Sequence, residues 1–110
     1  MPGTLILEKN EKVQEIVEYA YDKKLLICAI CAAPSILGHK GYLKDKKATC
    51  YPGMEAGLHC AEVLYDSVVT DGKVITSRGM GTAIDFGLKL VEILTDQDTS
   101  EKLAAAIVYK

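Results

Sequence analysis

The sequence predicts an α/β fold in which a parallel sheet is covered by helices on both faces. Residues 25–30 form an uninterrupted apolar run of strand length, which is typical of a central strand buried on both sides. Segments with helical and strand periodicity alternate along the rest of the chain. Because the chain has 110 residues, it is long enough for one domain at most.

The first half of the chain predicts two helices around the buried strand. Residues 1–4 are typical of a loop, and Asn10 is a suitable N-cap for a helix with apolar residues at helical spacing. After the strand, residues 35–37 predict a short helix that Gly38 and Gly41 stop. These elements place an abrupt strand-to-helix junction near residue 31.

The second half predicts strands first and then helices. Residues 47–51 are typical of a short strand, and Asp71-Gly72 is the favoured two-residue turn of a hairpin between residues 68–70 and 73–76. A capping box at Thr82 opens a helix that is apolar on most sides, which predicts deep burial. Residues 98–101 are expected to cap a last helix.

The predicted sheet is short of strands. A parallel strand covered on both faces needs a neighbour on each side, and the chain offers only one or two strands able to lie beside residues 25–30. Doubly wound domains usually begin with a strand, whereas this chain opens on a loop pattern. We therefore expect N-terminal strands of the domain to lie outside this chain, through truncation or on another polypeptide.

Composition and charge exclude several classes of function. The net charge of −2 and the lack of a Lys/Arg block argue against nucleic acid or an anionic membrane as the main partner. No apolar stretch approaches the roughly 20 residues that span a bilayer, and no signal-peptide pattern is present. We expect a cytoplasmic protein whose four cysteines are free thiols.

Cys31 is the candidate nucleophile because it follows the buried strand directly. The sequence Cys31-Ala32-Ala33-Pro34-Ser35 predicts an abrupt helix start, and a thiol at that point faces unpaired backbone N–H groups whose partial positive charge favours the thiolate. An alternative is that Cys31 is an inert thiol buried as a small hydrophobe. A dithiol or zinc site at Cys28-x-x-Cys31 is disfavoured, since Cys28 lies within the predicted strand.

Three segments, in this order and spacing, resemble the ThiJ/PfpI family, also called the DJ-one superfamily. They are residues 27–35 (ICAICAAPS), 48–53 (ATCYPG) and 71–86 (DGKVITSRGMGTAIDF). The resemblance implies a flavodoxin-like three-layer α/β sandwich with a nucleophile elbow at Cys31. It also implies that residues 1–110 are the C-terminal portion of a single domain of this type.

The resemblance implies a cysteine-dependent enzyme that acts on small reactive carbonyls, like glyoxalase III or a deglycase, without a cofactor. Cys31 is then the nucleophile, and the backbone N–H of Ala32 stabilises the oxyanion. The family's second N–H donor and its glutamic acid lie outside this chain, a loss expected to cost roughly two to four orders of magnitude in rate. The implied partners are a small carbonyl substrate and a homodimer or a complementing N-terminal chain.

Other functions remain open on the same resemblance. The protein is alternatively a redox-sensing chaperone in which Cys31 is oxidised, or a fragment that is inactive without its N-terminal segment. A peptidase-type member is disfavoured, because such members carry histidine directly after the cysteine and Ala32 stands there.

Two histidines are candidates for the general acid or base. Some relatives carry an active-site histidine before the hairpin, and counting back from Asp71-Gly72 places that position at Cys60, one residue from His59. His59 is therefore predicted to be catalytic, although strand alternation would turn neighbouring residues to opposite faces. His39 is expected to be a solvent-facing histidine at the end of the short helix.

Overall fold

The computed structural model describes residues 2–109 and confirms an α/β architecture. Short 3₁₀ turns at Glu55–Gly57 and Met80–Thr82 interrupt the loops. In chain order the helices and strands are α1 (Pro2–Lys9), α2 (Glu11–Asp22), β1 (Ile27–Ile30), α3 (Pro34–His39), β2 (Lys47–Ala48), β3 (Glu62–Val63), β4 (Val68–Asp71), β5 (Val74–Ser77), α4 (Ala83–Leu94) and α5 (Gln97–Ala106).

The main sheet has the order β1-β5-β4, and its centre is β5 rather than β1. β5 pairs in parallel with β1 and antiparallel with β4, and all four of its residues are buried. The prediction of a central strand at residues 25–30 is wrong for the described sheet, because β1 lies at its edge and Cys28 is exposed. The strand also begins later than predicted, since Leu25 still donates its backbone N–H to Ala20 at the end of α2.

The hairpin between β4 and β5 is confirmed, but its loop is shifted by one residue. Asp71 pairs with Val74 in the register, so the loop consists of Gly72 and Lys73 rather than Asp71 and Gly72. Gly72 adopts a φ of 60°, a backbone conformation that glycine permits without steric cost. The Asp71 carboxylate accepts the backbone N–H of Lys47 at 2.8 Å and thereby ties the hairpin to β2.

The N-terminal residues form a helix instead of the predicted loop. Proline is well suited to a first helical turn, and α1 begins at Pro2; Met1 lies outside the described residues. Asn10 ends α1 and caps α2 as predicted, because its side-chain oxygen accepts the backbone N–H groups of Lys12 and Val13 at 2.9 and 3.2 Å.

The predicted start of α4 is confirmed, whereas the start of α5 and the burial of α4 are corrected by the structure. α4 begins directly after Thr82, but the Thr82 side chain does not cap it; its hydroxyl accepts the backbone N–H of Gly79. α5 is capped by Asp96, two residues before the predicted segment. α4 is not deeply buried, because α5 covers only part of its apolar surface and Ile84 and Leu94 remain exposed.

The hydrophobic core lies beside β5 and joins α3 to the loop region between residues 42 and 60. Its fully packed members are Leu37, Leu43, Ala48, Cys50, Leu58 and Val74. β2 is shorter than the predicted strand, since only Lys47 and Ala48 pair with β3 before the chain turns into this core. Among residues 2–109, no helix combines the length and hydropathy needed to cross a bilayer.

Gly38 serves packing rather than helix termination. It lies within α3, and a Cβ atom at this position would stand 2.2 Å from the Gly57 carbonyl oxygen and 2.5 Å from that of Leu58. The helix ends one residue later, and Gly41 follows with a φ of 79°. Only a residue without a side chain lets α3 approach the Glu55–Gly57 turn this closely.

Candidate active site

Cys31 lies at the carboxyl end of β1 in a sharp turn that leads into α3. Its φ of 66° is rare for a residue other than glycine and is the kind of local strain found at functional positions. The Cys31 N–H donates to the Ser77 carbonyl at 3.0 Å, and its carbonyl accepts the Tyr51 N–H at 2.7 Å. Cys31 is partly exposed rather than fully buried, and its reactivity stays a prediction.

Ala32 directly follows Cys31 in the same turn. The Ala32 carbonyl accepts the Ser35 hydroxyl at 2.7 Å, and this bond closes the first turn of the elbow. Within residues 2–109, the Ala32 N–H donates to no backbone carbonyl. A free, buried N–H next to a nucleophile is the kind of donor that stabilises a developing oxyanion.

Arg78 anchors the loop that faces the elbow. Its Nε donates to the Cys50 carbonyl at 3.2 Å, and its guanidinium lies 3.5 Å from a carboxylate oxygen of Glu55. The other Glu55 oxygen accepts the Gly53 N–H at 3.0 Å. Because Arg78 directly follows β5, these contacts hold the loop of residues 50–55 against the end of the sheet where Cys31 lies.

Desolvation disfavours the thiolate form of Cys28, Cys50 and Cys60. Burial raises the pKa of the Cys50 thiol to about 11, and its Sγ donates a weak hydrogen bond to the Tyr51 carbonyl at 3.4 Å. Burial likewise raises the pKa of the Cys28 and Cys60 thiols. Since the thiolate is the reactive form, a raised pKa lowers the thiolate fraction of these three cysteines and slows their reaction with reagents in solution.

The two histidines lie together at the other end of α3. His39 is the last residue of α3 and is exposed, which confirms the prediction of a solvent-facing histidine at the helix end; in addition its Nδ1 lies 2.5 Å from a Glu8 carboxylate oxygen. The His59 ring is 6.0 Å from that of His39. Because a six-residue helix is about 9 Å long, α3 separates this pair from the Cys31 turn along its axis.

A pocket of about 340 Å³ lies between α1, α3 and the turn at Glu55–Gly57. Its polar lining includes Ser35, which also bonds to the elbow, and the Glu8–His39 pair. Among residues 2–109, no group of three or more His, Cys, Asp or Glu side chains is arranged to hold a metal ion.

Tyr51 and Arg78 are the site residues that sequence reasoning missed. A signal for Arg78 was available, since residues that follow neighbouring parallel strands meet at one edge of the sheet, and Arg78 follows β5 as Cys31 follows β1. No local pattern marked Tyr51, whose bond to the Cys31 carbonyl joins segments 20 residues apart.

A cysteine at positive φ between a parallel strand and a short helix defines the class of α/β proteins with a nucleophile elbow. The particular family follows from comparison, since the model of the DJ-1/PfpI family matches residues 2–93. The chain belongs to the DJ-1/PfpI family.

Similar proteins include two curated relatives and a solved structure. Protein DJ-1 homolog B of Arabidopsis thaliana and Protein DJ-1alpha of Drosophila melanogaster are each 36% identical, over 100% and 99% of this chain. The structure of Toxoplasma gondii DJ-1, oxidized, matches 99% of the chain with a TM-score of 0.93 and 31% identity.

The chain spans only part of each of these proteins. It covers 26% of the Arabidopsis protein, 51% of the Drosophila protein and 60% of the Toxoplasma chain. The whole of the chain aligns with them, and the prediction that further strands precede it stays a prediction.

Proposed function

We propose that the protein is a cysteine-dependent enzyme that acts on small reactive carbonyls, in the manner of a glyoxalase III or a deglycase. The observation that carries the proposal is the Cys31 turn. Cys31 is partly exposed and its backbone φ is 66°, and the N–H of the next residue, Ala32, donates to no backbone carbonyl within residues 2–109. DJ-1 proteins are similar over the whole chain, which supports a function within that family.

The proposed reaction begins with addition of the Cys31 thiolate to an aldehyde carbon. The sulfur–carbon bond forms as the carbonyl π pair moves onto oxygen, and the Ala32 N–H donates a hydrogen bond to that oxygen. Protonation of the oxygen then gives a thiohemiacetal. His59 stays a predicted proton donor or acceptor, although its place beside His39 means that it acts on Cys31 only if the loop around it moves.

Methylglyoxal turnover tests this proposal. The wild-type chain, Cys31→Ala and the control Cys28→Ser are compared for loss of methylglyoxal and formation of lactate. Cys28 is a suitable control because it is an exposed cysteine on β1, the strand that leads into the Cys31 turn. We expect Cys31→Ala to abolish turnover and Cys28→Ser to keep it; equal turnover by the wild type and Cys31→Ala rules out the enzyme.

A second candidate function is redox sensing through Cys31. A partly exposed thiol at the elbow is accessible to peroxide, and the Toxoplasma relative has been solved in a form described as oxidized. Methylglyoxal turnover by the reduced protein distinguishes the two functions. An enzyme turns over methylglyoxal, whereas a sensor does not and instead changes its partner binding after oxidation.

We also propose that the chain associates, either as a homodimer or with a complementing N-terminal chain. Among the described strands β1 pairs only with β5, which leaves its other edge without a strand, and such edges favour pairing with another chain. Light scattering coupled to size exclusion measures the mass directly, and a monomer at micromolar concentration contradicts this proposal.

A further inference from the structure

We propose that Cys50 is the resolving thiol for Cys31, so that peroxide converts the pair into an intramolecular disulfide. This inference rests on the proposed reactivity of Cys31 and adds a reversible oxidised state of the same site. Hydrogen peroxide is the oxidant. Cys50 takes no part in the carbonyl reaction, and its place in the structure accounts for a different role.

One hydrogen bond holds the backbones of the two cysteines together. The Tyr51 N–H donates to the Cys31 carbonyl at 2.7 Å, and Cys50 shares the peptide bond that carries this N–H. The Cα atoms of Cys31 and Cys50 are therefore no more than about 7.5 Å apart, because each lies about 2.4 Å from the bonded oxygen or nitrogen. Disulfides usually join Cα atoms that are about 4.4–6.8 Å apart.

Both cysteines are also anchored to the same end of β5. Cys31 donates its N–H to the Ser77 carbonyl at 3.0 Å, and the carbonyl of Cys50 accepts from Arg78 Nε at 3.2 Å. Since Ser77 and Arg78 are consecutive, the two anchors keep the Cys31 turn and the Cys50 segment side by side. The backbones of the two cysteines are therefore neighbours without any movement of a helix or strand.

The other two cysteines are less well placed. Cys28 is three residues before Cys31 on an extended strand, so it lies about 10 Å along the chain and its side chain points to the opposite face. Cys60 packs against the same core as Cys50, but within residues 2–109 no backbone hydrogen bond joins its segment to the Cys31 turn. Cys50 is therefore the partner that the described contacts favour.

The chemistry balances with peroxide as the sole co-reactant. The Cys31 thiolate attacks one peroxide oxygen, the O–O bond breaks, and hydroxide leaves to give the sulfenic acid Cys31–SOH. The Cys50 sulfur then attacks the Cys31 sulfur, the S–O bond breaks, and the departing hydroxide takes the Cys50 proton to form water. The two sulfurs together lose two electrons, which reduce one peroxide to water and hydroxide.

The burial of Cys50 explains why it reacts only after Cys31. Its side chain has 0% exposure, so reagents in solution reach Cys31 first. The only hydrogen bond described for its Sγ is the 3.4 Å contact to the Tyr51 carbonyl, and a thiol is a weak donor. A sulfenic acid at Cys31 is then trapped as a disulfide before a second peroxide makes the irreversible sulfinic acid.

The test uses the chain with Cys28→Ser and Cys60→Ser, which leaves Cys31 and Cys50 as its only cysteines. After hydrogen peroxide, the intact mass is expected to fall by about 2 Da, and dithiothreitol restores it. Digestion of the oxidised protein with trypsin, before any reduction, is expected to release residues 25–40 and 48–73 as one cross-linked species. Reduction separates this species into its two peptides. Circular dichroism confirms beforehand that the double variant keeps the wild-type fold.

The matched variant adds Cys50→Ser to the Cys28→Ser and Cys60→Ser protein. A second version carries Cys50→Ala instead, in case the serine hydroxyl destabilises the core. Both are expected to gain about 16 or 32 Da at Cys31 and to form no cross-link. If the parent with both cysteines gains the same oxygen and keeps its Cys50 thiol, the resolving role is wrong while the reactivity of Cys31 stands. A covalent dimer on a non-reducing gel also overturns it.

Labelling with iodoacetamide distinguishes failure of the proposed Cys31 nucleophile from failure of the disulfide proposal alone. If Cys31 reacts with neither peroxide nor iodoacetamide in the folded parent protein, the proposed nucleophile fails and the disulfide proposal fails with it. If iodoacetamide labels Cys31 and peroxide still produces no cross-link, only the disulfide proposal is overturned.

Discussion

Replacement of Gly38 by alanine tests whether the close approach of α3 to the Glu55–Gly57 turn holds the fold together. The new Cβ would lie 2.2, 2.5 and 2.7 Å from backbone atoms of Gly57 and Leu58. The shortest of these distances must lengthen by roughly 1.2 Å to reach the 3.4 Å of ordinary contact. Because the obstructing atoms belong to the backbone, no side-chain rotation relieves the overlap.

The expected cost is the difference between two opposing effects. Overpacking against backbone costs up to about 3 kcal/mol, while alanine gains about 1 kcal/mol over glycine within a helix. We therefore expect Gly38→Ala to lower the free energy of unfolding by about 2 kcal/mol and the melting temperature by roughly 10 °C. Urea denaturation followed by circular dichroism measures the first quantity, and a thermal scan measures the second.

Gly87→Ala is the matched control, because Gly87 also lies within a helix and its added Cβ would meet nothing within 4 Å. Only the propensity effect remains there, so this variant is expected to be more stable than the wild type by about 0.5–1 kcal/mol. If the Gly38→Ala protein is as stable as the Gly87→Ala protein, the packing role of Gly38 is refuted. The predicted role of Gly38 in ending the helix would then be favoured.

Three further predictions concern other parts of the chain. Asn10→Ala removes the cap of α2 and is expected to cost about 1 kcal/mol in urea denaturation; an unchanged midpoint contradicts the capping role. The Thr99 N–H lowers the pKa of Asp96 below its ordinary value, so its contribution to stability is complete above about pH 4 and is lost as the pH falls through the lowered pKa. Melting temperatures measured at acid pH check this loss. The Asp96→Asn variant has no carboxylate at this position, so its melting temperature is expected to lack this pH dependence. Burial raises the pKa of Cys50 to about 11, and we expect thiol reagents to label it at pH 8 only after denaturation; rapid labelling of the native protein contradicts its burial.

Local signals in the sequence were sufficient for the elbow and for α2. The Cys31 turn follows an apolar strand and precedes Pro34, and each of these features acts on the residues next to it. Asn10 likewise caps a helix through its own side chain. Such interactions join residues a few positions apart, so their pattern can be recognised without knowledge of the tertiary fold.

The wrong predictions concern the position of a strand in the sheet and the burial of a helix, which depend on residues distant in the sequence. An apolar run identifies a strand but not its place in the sheet, and β1 proved to be an edge of the described sheet while β5 is its centre. The apolar surface of α4 predicted burial, yet its exposure depends on what packs against it, and α5 covers only part. The pattern at residues 1–4 predicts a loop, yet Pro2 begins α1, because proline suits both a turn and a first helical turn.

By itself, the sequence determined the alternation of helices and strands, the family resemblance and the position of Cys31 at a strand-to-helix turn, since these depend on residue order and local backbone preference. Only the tertiary structure decided that Tyr51 and Arg78 brace the elbow, that Cys50 lies beside Cys31, and that His59 lies at the far end of α3. Hydrogen bonds and packing between segments about 20 or more residues apart set those placements, and no local pattern encodes the partner of such a contact.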